Sequence, residues 1–140
     1  MEKLEVDIQV IVHATEDMTK IYHSFKETFD IDSQEFIVQT LEGHFENPIT
    51  LLSCKLRKKK AQAFVRALTG GLPKNEIDSI IGDLHSRCDN ALHLRISKQS
   101  LPSGKIALGD EDSIKLRIYT PVYSQKELLA TYSSILSEHS

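Results

Sequence analysis

The densest chemical signal in the chain is a run of cations: Lys55, Arg57, Lys58, Lys59 and Lys60. Lysine and arginine so spaced can displace counterions from a nucleic acid backbone, and binding then weakens as salt rises. The run also stands where a helix begins. There each cation opposes the helix dipole at a cost of about 0.3–1 kcal/mol. A phosphate contact and a solvated helix start are therefore both open. A second polar group is Arg95, Lys98 and Gln99, with Lys105 in the loop that follows. Arginine and glutamine bond to base edges as well as phosphates, and the same residues also suit a solvent-facing strand end. His13, His44 and Asn47 fall at strand or turn ends. Each can touch RNA or tie a loop by hydrogen bonding. Phe45 can stack on a base or cover the edge of the core.

Other constellations fall short of chemistry. His85 and Cys88 have a spacing that a metal could use, but no second pair completes a zinc site. Asp110, Glu111 and Asp112 lack the spacing of a calcium loop. Gly70-Gly71 is not followed by the Gly-Lys-Ser/Thr of a phosphate loop. Ser133, Ser134, Cys54 and Cys88 have no recognisable base partner, so no nucleophile is assigned. No cofactor, metal or catalytic residue is expected. The two cysteines read as reduced, small apolar residues.

These residues need elements to hold them. Leu4, Val6, Ile8, Val10 and Val12 have the period of two of a half-buried strand. Thr15 is the expected cap of the helix that follows, with Glu16 and Asp17 at its positive end. Met18, Ile21, Tyr22 and Phe25 form its apolar stripe. Phe36, Val38 and Thr40 suggest a second strand, and Ile49 to Leu56 a third. The turn between them contains Gly43, Asn47 and Pro48, so an antiparallel hairpin is predicted. Ala61, Phe64, Val65 and Leu68 mark a helix that Gly70-Gly71 would end in a left-handed cap. Pro73 opens the next helix, whose stripe is Ile77, Ile80, Ile81 and Leu84. Leu92, Leu94 and Ile96 form a fourth strand. Ile114, Leu116 and Ile118 form a fifth, after a loop in which Lys105 to Leu108 is a short extended piece. Leu128, Leu129, Tyr132, Ile135 and Leu136 carry a last helix.

The order β-α-β-β-α-α-β-β-α implies an α+β fold: a mainly antiparallel sheet with helices on one face. The open face would present His93, Arg95, Lys115, Arg117 and Tyr119. Residues 1–140 suit a single domain, and 40% hydrophobic residues can fill its core. The longest apolar run, Ile8 to Val12, is too short to span a bilayer. Residues Met1 to Asp7 are too acidic and polar for a signal peptide, so a cytoplasmic location is expected. The net charge of −3 excludes a surface that is basic all round and leaves room for a local basic patch.

Four stretches, in order, resemble a known family. They are His13-Ala14-Thr15-Glu16-Asp17, Gly43-His44-Phe45-Glu46-Asn47-Pro48-Ile49, Arg87-Cys88-Asp89 leading into Leu92 to Gln99, and Gly109-Asp110-Glu111-Asp112-Ser113-Ile114-Lys115. Together they resemble an archaeal RNA-binding family known as a predicted exosome subunit. Its fold is similar to that of the ribosomal large-subunit protein that binds 5S rRNA. The likeness runs from about Leu4 to about Thr120. It implies a non-catalytic RNA-processing accessory factor with structured RNA, and exosome proteins, as partners. Glu46 stands where the family has glycine, so a positive φ there would be strained.

The reading is RNA backbone contact through Lys55, Arg57, Lys58, Lys59, Lys60, Arg95, Lys98, Gln99 and Lys105, with His13, His44 and Asn47 as further contacts. The alternative is a protein-interaction module that forms a homodimer through its open sheet face or an edge strand. A third reading, a metal-dependent nuclease, requires Glu16, Asp17 and Asp110 to Asp112 to converge in a cleft.

Overall fold

A computed structural model describes residues 3–42 and 48–138. Strand β1 spans Glu5–His13 and helix α1 spans Met18–Phe29. After a 3-10 turn, Ser33–Glu35, come β2, Ile37–Glu42, and β3, Pro48–Arg57. Three helices follow: α2, Lys58–Gly71; α3, Lys74–Gly82; and the short α4, Leu84–Arg87. Strand β4, Leu92–Ser97, β5, Ser113–Tyr119, and helix α5, Gln125–Glu138, complete the fold. The α+β class and the element order are those read from the periodicity, with α4 added.

The sheet order is β2-β3-β1-β5-β4, and every neighbouring pair is antiparallel. Alternation decides what each face carries. Val6, Ile8, Val10 and Val12 of β1 are buried, as are Leu52, Cys54 and Leu56 of β3. Leu92, Leu94, Ile96, Ile114, Leu116 and Ile118 continue this face across β4 and β5. The helices cover it. Phe25 and Phe29 of α1 reach Phe36 and Phe64, with ring centroids 5.0 and 4.4 Å apart. At the other end α5 packs on α3 and α4. Its buried Tyr132 hydroxyl accepts the Thr120 N–H at 3.2 Å.

Local details depart from expectation. Helix α1 starts at Met18, so Asp17 rather than Thr15 caps it, its carboxylate accepting the Thr19 N–H at 2.9 Å. Glu16 turns back to accept the His13 N–H. Gly70-Gly71 is not a left-handed cap; both glycines lie within α2, which closes on Leu72 ahead of Pro73. Gly71 packs closely on Ile106 instead: a Cβ there would sit 2.5 Å from Ile106 Cδ1, so that side chain would have to move. Pro73 is the residue before α3 rather than its first. Phe36 lies outside β2 and is buried, whereas Val38 and Thr40 are exposed. That edge strand lacks the buried face its sequence suggested. Leu108 bridges to Ile96, which confirms the short extended piece.

Candidate nucleic-acid interface

The face away from the helices is built by the alternate residues of all five strands. On β4 and β5 the register sets His93 opposite Arg117 and Arg95 opposite Lys115. Four nitrogenous side chains thus form a two-by-two block. Two of them have carboxylate partners. Arg117 donates to Asp7 Oδ2 at 3.3 Å, and its guanidinium lies 5.1 Å from the Tyr119 ring centre. His93 Nε2 donates to Asp89 Oδ1 at 3.0 Å. Asp89 also accepts the Ala91 N–H at 2.9 Å, and these two bonds, the backbone one foremost, hold its pKa below the usual carboxylate value. Arg95 and Lys115 take part in no ion pair among the described residues. Like charges directly opposite on adjacent strands repel, at a cost of a few tenths of a kcal/mol or more, about 0.2–1.

Two depressions meet at this block. One, of about 730 Å³, is lined by Arg87, Cys88, Asp89, Arg95, Asp110 and Lys115 among others. The other, of about 430 Å³, runs along β1 and β3 past Asp7, Gln9, Ser53 and Lys55. His93, Lys115 and Leu116 belong to both. Arg87 Nε is buried in the first with no hydrogen bond, its nearest carboxylate being Asp83 at 3.7 Å.

The long basic run does not form one patch. Lys55 and Arg57 lie on the open face because Leu56 between them is buried. There they meet the carboxylates of β1: Lys55 lies 3.5 Å from Asp7, and Arg57 lies 3.7 Å from Glu5. The chain then reverses. Lys58, with φ 55°, bonds through its N–H to Leu4 O, and Lys60 reaches Glu35 at 2.6 Å. Lys58 and Lys59 remain exposed at the start of α2.

Lys98 is the clearest correction. It is only 6% exposed, and its ammonium donates to Ile11 O, Glu16 Oε1 and Asp112 Oδ1, each at 2.8 Å. All three donors are used inside the protein, so it has none to offer a phosphate. His13 joins the cluster through Asp112 at 3.2 Å, which is the loop-fixing role. Lys98, then the His13 contact, hold the Asp112 carboxyl below its ordinary range. Gln99 and Lys105 are exposed. His44, Asn47, Phe45 and Glu46 lie outside the described residues.

His13, Glu16 and Asp112 place potential ligand atoms within 4.8 Å of one another, the one such group among the described residues. The Lys98 ammonium already neutralises it, so a cation would have to displace a buried lysine. The acidic residues required by the nuclease reading do not converge as one set: Asp110 and Asp112 line one depression, and Glu16 and Asp17 another. Glu16 and Asp112 close on Lys98, Asp17 caps α1, and Asp110 and Glu111 are exposed. Burial pushes the Cys54 thiol up to about 11 and raises Cys88 as well, so neither is a thiolate at neutral pH.

Lys115 and Arg87 are absent from the contact set deduced from sequence. For Lys115 the signal is the alternation of β5 beside β4. For Arg87 the sequence signal is its place in the Arg87-Cys88-Asp89 stretch of the family resemblance, while its place in the groove comes from the α4–β4 junction.

Fold and face together define a class: a small α+β domain with one sheet face under helices and the other bearing unpaired cations. Residues 5–120 match the family described as RNA binding, and the chain belongs to that family. It is 26% identical over 135 residues to an uncharacterized protein of Methanocaldococcus jannaschii, covering 88% of this chain and 91% of that one. It is 26% identical over 130 residues to RNA-binding protein PAB1135 of Pyrococcus abyssi, covering 87% and 84%. Among solved structures, protein AF2318 from Archaeglobus fulgidus, of family DUF54, superposes with a TM-score of 0.78. Its identity is 28%, with 94% of this chain and 97% of that chain covered.

Proposed function

We propose that this protein is a non-catalytic RNA-binding protein that grips the backbone of structured RNA across β4 and β5. The observation that carries this is the Arg95–Lys115 pair: two like charges face each other with no ion-pair partner among the described residues, and Lys115 lines both depressions. A phosphate between them would relieve the repulsion. Arg87, which lines the larger depression beside Arg95 and Lys115, extends the contact, and the exposed Lys105 and Gln99 are further contacts. Lys55 and Arg57 add a weaker arm, because Asp7 and Glu5 already neutralise them in part.

The family likeness supports a place in RNA processing as an exosome-associated accessory factor. Self-association concerns a different surface, the β2 edge, and is compatible with RNA on β4 and β5. A filter-binding titration against a folded RNA, repeated over a range of salt, tests the RNA reading. Affinity should fall steeply with salt. Replacing both Arg95 and Lys115 with alanine should lower affinity and reduce the salt slope by roughly one for each phosphate no longer held. Absence of binding to any folded RNA at low salt defeats the proposal.

A further inference from the structure

The two edges of the sheet are treated differently. Strand β4 is shielded by its own chain: Ser97 N–H donates to Ala107 O at 2.8 Å, and Gly109 N–H to Arg95 O at 3.1 Å. It also carries His93 and Arg95 on its open face. Among the described residues, strand β2 pairs only with β3, and from Ile37 to Leu41 it has no charged residue and no proline. Ile37 is 72% exposed, Val38 51% and Leu41 41%. Free edges are ordinarily blunted by charge, proline or a covering segment, because a bare one templates further pairing.

We propose that this edge pairs with the β2 strand of a second copy, antiparallel, with Gln39 on the two-fold axis. The strand itself selects that occupant and register. Residues directly opposed in an antiparallel pair point to the same face, so a two-fold axis normal to the sheet must pass through a residue. With Gln39 on the axis, Ile37 faces Leu41 of the second copy on the open side, twice. Val38 faces Thr40 on the helix side, and the two Gln39 amides face each other. Moving the axis to Thr40 would instead oppose Leu41 to Gln39 and lose both Ile37–Leu41 pairs. The segment Ile37 to Leu41 carries no charge, so its paired positions bring no repulsion when two identical edges meet. The new Ile37–Leu41 pairs continue an apolar stripe already present on that face, since Leu41 lies opposite Ile49, and Leu51 opposite Ile11. The product is a ten-stranded sheet.

This goes beyond the RNA reading and does not rest on it, because β3 and β1 separate β2 from the Arg95–Lys115 block. A six-residue edge buries less than the roughly 1,200 Å² of a standard stable interface, so the dimer should dissociate on dilution. Sedimentation equilibrium of the intact chain tests it, with circular dichroism to confirm folding. The average mass should rise with concentration toward two copies. Ile37→Lys and Leu41→Glu each alter an exposed side chain, and each variant alone should remain a monomer. Mixing the two should restore a dimer. The two introduced charges, opposite in sign, then face each other across the axis, while the unaltered Leu41 of one chain meets the unaltered Ile37 of the other. A wild-type chain that stays monomeric at all concentrations overturns the proposal. So does a dimer indifferent to Ile37→Lys, or two monomeric variants that fail to combine.

Discussion

At the level of single residues, Lys98 shows how location reverses the meaning of a charge. In the sequence it stands among groups suited to RNA. In the fold its ammonium ties the end of β1, the turn before α1 and the loop before β5 through three bonds. Removing it leaves Glu16 and Asp112 facing each other, though partly open to water. Lys98→Ala should therefore cost about 1–3 kcal/mol, read from the denaturant midpoint. The pH dependence follows from Asp112. Its folded pKa is depressed from the ordinary 3.8, mainly by Lys98. Its stabilisation is then complete above about 3.8 and is lost as pH falls through the lower folded value. An acid titration of stability should show that loss in the wild type and a smaller one in Lys98→Met.

For the elements, the two glycines at the end of α2 make a sharp comparison. A left-handed cap would penalise alanine at the capping glycine, with no clash expected at its neighbour. The structure predicts opposite signs. At Gly70 a Cβ meets nothing within 4 Å, so Gly70→Ala should stabilise by several tenths of a kcal/mol. At Gly71 the Cβ would press on Ile106, where overpacking costs about 1–3 kcal/mol and outweighs the helix gain. Adding Ile106→Val should make the double variant more stable than the sum of its parts. Thermal unfolding of the four proteins measures that coupling. Element placement was largely legible, because the stripes of α1, α2 and α5 and the alternation of β1, β4 and β5 report burial directly. The ends were less so. Thr15 and Asp17 are both good caps, and only the first packed residue, Met18, decides between them. The bare β2 edge was hidden because Phe36, Val38 and Thr40 alternate plausibly, yet only Phe36 reaches the core.

In the whole molecule, a net charge of −3 coexists with a cationic block on one face. Acidic residues of β1 neutralise the β3 cations, and the β4–β5 pair remains. Tyr119 is the one aromatic side chain on that face among the described residues, and Arg117 lies over it. Base stacking is worth about 1–3 kcal/mol per base where it occurs. Backbone recognition therefore predicts that Tyr119→Leu changes RNA affinity by no more than about threefold in the same titration. A tenfold loss would show that the ring stacks on a base. The dimer through β2 would hold two such blocks at opposite ends of one sheet.

By itself the sequence determined the α+β class, the element order, the helix-covered face and, through four ordered stretches, the family. All of these depend on local periodicity or on residues close in the chain. Tertiary structure alone decided which cations remain free. That depends on strand register and chain reversal, which set Arg95 against Lys115, gave Lys55 and Arg57 to acidic neighbours on β1, and buried Lys98 among residues up to 87 positions away.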